Sequence, residues 1–396
     1  MPSSSAYKVR SEIIERNMPR VKGNNQYKAK TVVALDGGYS SVKGVGPGRV
    51  FMFPSYAKKA PAGLEAVGKV KPEDIRFRDN KTGDIWLVGQ SAEALMDQRD
   101  IDATTDANMY GRYRYDSDMY KVVMSTGMAL GLWGTPADRE VFLQTGLPSK
   151  YKNADKSKLV AALSGDYDVS LKVGDREWAT FVFSLDAEHI DVIEQPQGTL
   201  LAVAYDNGEM SKVGAEVMSS NTIIDDIGFG TEDVFAMTAG YKLDPQTFTD
   251  TAMKSVFERV LKDIEKNESA EFKVFELQNY LDEGKLPCFN PTTTTVEYVD
   301  FTKMLENANE ALCEKSVKRL LEEYDNLIKY KYLIVTGGTG ESRFEKIKEM
   351  LSGLKGLKVV PGNMNTPDLS CAYSNVVGYY MYRHAKESAE ARKSAG

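Results

Sequence analysis

Three glycine-rich turns, each directly after an apolar strand, constrain this chain more than any other feature: Asp36-Gly37-Gly38-Tyr39-Ser40-Ser41-Val42-Lys43, Asp226-Ile227-Gly228-Phe229-Gly230-Thr231-Glu232-Asp233 and Thr336-Gly337-Gly338-Thr339-Gly340-Glu341. Glycine permits positive φ and close approach of a ligand, so consecutive amides in such turns can face phosphate oxygens. In the first two turns an aspartate ends the strand, where a carboxylate can hold hydrated Mg2+. Lys43 comes next on the expected returning strand, where its ammonium is placed to neutralise a phosphate. A single turn of this kind is usually only a hairpin. Three in series describe two facing hairpins that clamp a nucleotide. The chain holds no G-x-x-x-x-G-K-[ST] phosphate loop, and the segment after Gly48 reads as strand rather than as the helix of a dinucleotide fingerprint.

The 396 residues exceed what one small core organises, so two lobes around a cleft are expected. The run at 31–35 reads as the first strand, and an antiparallel meander through a turn at 46–48 opens the first lobe. Residues 55–115, charged and glycine-interrupted, read as an inserted subdomain. A helix is expected over 119–132, a strand at 141–143, and a strand with a loop feeding a helix over 191–206. In the second half, apolar spacing predicts a long helix over 301–329. A buried strand at 332–335 should precede a helix starting near Glu341 and stopping by Gly353, and the chain should close on a helix fraying into a polar tail. The division read from this pattern is a polar extension (1–29), lobe I (30–213), lobe II (214–365), and a C-terminal helix returning to lobe I (366–396).

A net charge of −7 argues against a protein that coats nucleic acid, so any contact with DNA should be indirect. The basic opening stretch, with Lys8, Arg10, Arg16, Arg20, Lys22, Lys28 and Lys30, is read as a solvated tail, with a functional arm as the alternative. No run reaches the ~20 apolar residues of a membrane span, and the opening lacks a secretory core, so a cytoplasmic location is expected. Cys288, Cys313 and Cys371 are too widely spaced for a disulfide framework or a zinc site. Neither His189 nor His384 sits in a catalytic phrase.

Taken together, LDGGYSSVK, VIEQPQGTL, IIDDIGFGTEDV and LIVTGGTGESRF resemble, in order and separation, the motifs of the actin superfamily, which includes sugar kinases and heat-shock chaperone ATPases. The resemblance spans roughly residues 30 to 385. Within the superfamily the chain looks most like the ParM-type, plasmid-segregating actin-like proteins. This implies an α/β fold of two lobes, each a mixed sheet flanked by helices, with the nucleotide between them.

The resemblance also implies roles. Asp36 and Asp226 would organise Mg2+ and water, Lys43 would contact the β- and γ-phosphates, and Gly37, Gly38, Tyr39, Ser40, Gly228, Phe229, Gly230 and Thr231 would line the phosphates. Gly337, Gly338, Thr339 and Arg343 would border the adenosine. Gln195 matches the water-orienting position, with Glu194 and Gln197 close enough in register to take its role. Asp225 reads as a strand-end or turn residue, with a second metal carboxylate as the alternative. The implied cofactors are ATP, with GTP as the alternative purine nucleotide, and Mg2+. The implied partners are further copies of the chain in a filament and a ParR-like centromere-binding adaptor. A small-molecule kinase and a nucleotide-switched binding module are the rival functions.

Overall fold

The apolar run at 31–35 forms the middle of the strand Ala29–Gly37, buried from Thr31 to Gly37. Continuous burial is what a central strand covered on both faces demands. Antiparallel pairing joins it to Ser41–Gly46 and, through that, to Arg49–Pro54, so the expected meander is present. On its other side Arg139–Leu147 pairs parallel, and Ile190–Glu194 pairs parallel beyond that.

This computed structural model describes residues 4–21, 29–61, 63, 69–96, 114–265, 272–290 and 292–393. The chain divides into a larger unit, Val9–Ala215 with Tyr373–Gly396, and a smaller unit, Met1–Lys8 with Glu216–Ala372.

In the larger unit, Val33 and Leu35 face the helix Asp118–Leu132. That helix begins where Ser117 accepts a hydrogen bond from the Tyr120 N–H. Gly127 and Gly131 let it press close: a Cβ at either would come within 3.0 Å of Leu35 or Val33. The opposite face of the sheet takes the C-terminal helix Ser374–Lys393, where Gly146 lies under the Tyr379 hydroxyl. The strand expected at 141–143 runs longer, and no loop separates Ile190–Glu194 from the next helix, Gln195–Ala204. A capping box between Glu194 and Gln197, with Pro196 in the first turn, starts that helix at once.

Residues 12–15 correct the reading of the opening stretch as a solvated tail. Glu12–Glu15 pairs antiparallel with Arg49–Pro54 at the sheet edge, and the Tyr373 hydroxyl donates to Glu12. Lys22 and Lys28 lie outside the described residues. Within the 55–115 stretch, Ala57–Lys59, Ile75–Asp79 and Ile85–Val88 form one antiparallel sheet with Gly165–Val173 and Ala179–Leu185. The stretch therefore borrows two strands from later in the chain, and its residues 97–113 lie outside the described ones.

In the smaller unit, Thr222–Ile227 is central, antiparallel to Glu232–Thr238 and parallel to Tyr332–Thr336, which pairs parallel with Lys358–Pro361. Its core interleaves Ile223, Leu333 and Val335 with Val317 and Leu320 of the helix Thr302–Glu323 and with Ile347. That helix ends before 329 because Asp325, Asn326 and Leu327 all take positive φ. The helix expected from Glu341 begins four residues earlier and spans Gly337–Met350, since Gly337 at φ +82° turns the strand straight into it. Among the described residues no helix is long and apolar enough to cross a membrane.

Candidate functional site

Asp36 and Lys43 sit directly opposite each other on the first hairpin, with the ammonium 3.5 Å from the carboxylate. Both are largely withdrawn from solvent, which strengthens a charge pair relative to the same pair in water. Asp36 receives a second contact from far along the chain: Gln195 Nε2 donates to its Oδ1 at 2.9 Å. The structure thus brings three of the candidate residues together at the carboxyl ends of parallel strands, where open α/β sheets place their ligands.

The neighbouring polar groups are otherwise engaged. Gln197 accepts the Glu194 backbone N–H at 3.2 Å, and Lys152 lies 3.3 Å from Glu194. Glu194 and Gln197 therefore start the helix, while Gln195, between them, reaches Asp36. The helix itself is positioned by the C-terminal helix. Thr199 donates through both its N–H and its hydroxyl to Asn375 Oδ1, and Gly198 and Gly378 meet backbone to backbone.

The first turn is held from beneath. Ser55 donates its hydroxyl to the Gly38 carbonyl and its N–H to the Ser40 carbonyl, each at 3.0 Å. Arg114 donates to the Gly37 carbonyl at 2.7 Å and lies 4.4 Å from the centre of the Tyr39 ring. Tyr39 is therefore a cover for Arg114.

The smaller unit carries the other two turns, and they are tied together. Thr339 donates its hydroxyl to the Gly228 carbonyl at 2.8 Å, and a Cβ on Gly337 would stand 2.7 Å from an Asp226 oxygen. The Gly228 N–H closes its own turn on the Thr231 carbonyl at 2.8 Å, and Lys254 N–H binds the Phe229 carbonyl at 2.8 Å. Yet a Cβ on Gly228 would meet nothing closer than 3.4 Å, and one on Gly338 nothing closer than 3.9 Å. Internal packing does not demand glycine at these two positions. Their bare backbones fit a ligand that comes close, as nucleotide phosphates and a base would.

Two candidate residues stand elsewhere. Arg343 is 1% exposed; its Nε donates to Asn309 and its Nη1 to the Thr251 carbonyl, so its guanidinium braces the core. Phe229 turns its ring toward Phe257 in an edge-on contact and packs against the apolar cluster around it. In both cases burial of side-chain surface outweighs the position in the motif.

Residues 34–198, which contain the first turn and Gln195, match the family model described as Actin like proteins N terminal domain. The chain has the two-lobed actin-like fold. Among solved structures, it is similar to the pCBH ParM non-polymerisable quadruple mutant at 18% identity and a TM-score of 0.66, over 89% of this chain and 99% of that one. A 15-stranded ParM filament from Clostridium botulinum gives 18% identity and 0.64, over 89% and 98%. Ta0583, an archaeal actin homolog in complex with ADP, gives 15% and 0.57, over 89% and 99%. No match was found among curated protein sequences.

The actin-like fold also contains buried charged groups whose surroundings the motifs did not show. Glu232 is fully buried and accepts from the hydroxyls of Ser316, at 2.7 Å, and Thr251. Asp225 is likewise fully buried, and burial together with the nearby Glu232 and Asp226 holds its carboxyl well above the ordinary range. Alternation along the strand explains it: Asp226 points to one face and Asp225 to the other, into the core. The buried Arg114 lacks any motif signal, because no turn or spacing marks it.

Proposed function

We propose that this chain is a nucleotide-dependent, filament-forming actin-like ATPase that segregates plasmid DNA through a ParR-like adaptor. The observation that carries the reading is the grouping of Asp36, Lys43 and Gln195 at the first glycine turn. Lys43 neutralises the β- and γ-phosphates of ATP, and the turn amides at 37–40 and 228–231 cradle their oxygens. Gly337 and Gly338 border the adenosine. Asp36 and Asp226 would hold hydrated Mg2+, whose charge would screen the phosphates.

Gln195 orients the attacking water. Its amide N–H is held by Asp36, so the amide plane is set and Oε1 is left to accept a hydrogen bond from the water. Water adds to the γ-phosphorus as the bond to the β–γ bridging oxygen breaks, giving ADP, hydrogen phosphate and one proton released to solvent. Positioning and charge neutralisation are all that phosphoryl transfer to water requires of the protein.

Assembly is inferred from the likeness to ParM proteins, one of which is a 15-stranded filament. Head-to-tail addition is a heterologous contact that does not close into a ring, so it extends. Hydrolysis then weakens those contacts. DNA is reached through the adaptor, in keeping with the net charge of −7, and the site of action is the cytoplasm.

Light scattering recorded with phosphate release, after Mg-ATP or Mg-GTP is added to purified protein, tests the reading. Scattering should rise before phosphate appears, and should persist longer in Gln195→Ala. Phosphate release with flat scattering over a broad concentration range refutes the filament and favours a small-molecule kinase or a switch.

A further inference from the structure

Arg114 is 6% exposed, and among the described residues no carboxylate pairs with it. Its Nη2 donates to the Gly37 carbonyl at 2.7 Å, while no acceptor among the described residues reaches its Nε. Three rings surround the guanidinium, with its centre 4.4 Å from Tyr39, 5.3 Å from Tyr120 and 5.6 Å from Tyr115. Burial pushes the Tyr120 hydroxyl far up, so the ring beside the cation stays neutral. Among the described residues the guanidinium therefore has π faces, the Gly37 carbonyl and a hydrogen bond with the Tyr115 side chain about it, and no carboxylate. A buried cation with no carboxylate among these neighbours favours an anion brought close to it.

The position of Arg114 indicates where an anion would be received. In a trans peptide the carbonyl and the N–H point in opposite directions, so a cation that takes the Gly37 carbonyl leaves the Gly38 N–H directed away from it. A charge-assisted bond at the carbonyl also polarises the peptide and makes that N–H a stronger donor. A cavity of about 10 Å³, the size of one water, adjoins Arg114, Gly37, Gly38 and Ser55, so the cation stands directly under the turn.

We propose that Arg114 is a positioning residue that acts through the Gly37–Gly38 peptide, aiming the Gly38 N–H at a nucleotide polyphosphate whose negative charge complements the buried guanidinium. The inference rests on the nucleotide-binding reading above. It makes Arg114 selective for ligands by their phosphates, and indifferent to the base and ribose.

Titration calorimetry with Mg-ATP, Mg-ADP and adenosine, at concentrations where scattering stays flat, separates this from a merely structural role. For wild type, Arg114→Gln and Arg114→Lys, the quantity read is the ratio of ATP to adenosine affinity. In Arg114→Gln the ATP affinity should fall by about tenfold or more while adenosine changes less than about twofold, with Arg114→Lys between. Equal losses for ATP and adenosine, or none, overturn the proposal. If the glutamine variant does not fold, the same ratio in the lysine variant decides. Wild-type protein that binds no nucleotide overturns the nucleotide-binding reading itself, a result distinct from wild type binding normally and the Arg114 variants matching it.

Discussion

Gln195 donates its side-chain amide to Asp36 Oδ1 at 2.9 Å although 159 positions separate them. The sheet produces this contact. Ala29–Gly37, Arg139–Leu147 and Ile190–Glu194 run parallel, so their carboxyl ends share one edge, and the first residue after the last strand stands near the end of the first. The capping box holds Glu194 and Gln197 back from that edge.

If Gln195 orients water, Gln195→Ala should lower single-turnover phosphate release by about a hundredfold while leaving Mg-ATP affinity within about threefold. Glu194→Ala and Gln197→Ala should instead act on stability, by about 1 kcal/mol each, through the lost capping box. Rapid-quench kinetics beside urea melts distinguish the two classes. A slow Gln197→Ala with unaltered stability would reassign the role.

The contact between the Gln195 helix and the C-terminal helix tolerates no side chain at its crossing. A Cβ on Gly378 would lie 1.7 Å from the Gly198 carbonyl oxygen. Backbone cannot yield as a flexible side chain can, so Gly378→Ala should cost at least about 3 kcal/mol in denaturant unfolding. In whatever fraction stays folded, ATP turnover should fall further than ATP binding, because the displaced helix carries Gln195.

Asp225 makes stability depend on pH with a defined sign. Its carboxyl is raised in the fold, first by burial and then by Glu232 and Asp226, so the folded protein keeps a proton that the unfolded chain releases above its ordinary value of 3.8. Stability should therefore decline as pH rises from about 4 toward the folded value, by up to about 1.4 kcal/mol per pH unit. Asp225→Asn removes the proton exchange at nearly constant shape. Melts between pH 5 and 9 should show a shallower decline in the variant, and parallel curves would rule the assignment out.

Arg343 braces the core of the smaller unit through Asn309 and Thr251. Arg343→Ala should destabilise the nucleotide-free protein by about 3–5 kcal/mol, since it removes the guanidinium from buried acceptors and leaves a void. Direct contact with adenosine would give the opposite result: a stable variant that binds ATP weakly. Equilibrium unfolding in urea without nucleotide separates the two.

The glycine turns, the strands before them and the order of the motifs were legible in the sequence because they obey local rules. A β-branched apolar run makes a strand, and a glycine pair lets the chain turn. Boundaries were less legible where one residue changed the backbone. Gly337 started its helix four residues early, and positive φ from Asp325 to Leu327 ended the long helix before 329. The edge strand Glu12–Glu15 escaped notice because EIIE, four residues in a charged stretch, is stabilised by a partner at 49–52 rather than by its own pattern.

By itself, the sequence determined which residues have the chemistry for phosphate, cation and water, because side-chain type and turn geometry are local properties. Only the tertiary structure decided which of them meet. It brought Gln195, rather than Glu194 or Gln197, to Asp36, drew Arg343 into the core, packed Phe229 against an apolar cluster, and set the unmarked Arg114 under the first turn. Such choices depend on strand order, on which face of a strand a residue occupies, and on burial, and these are settled among residues far apart in the chain.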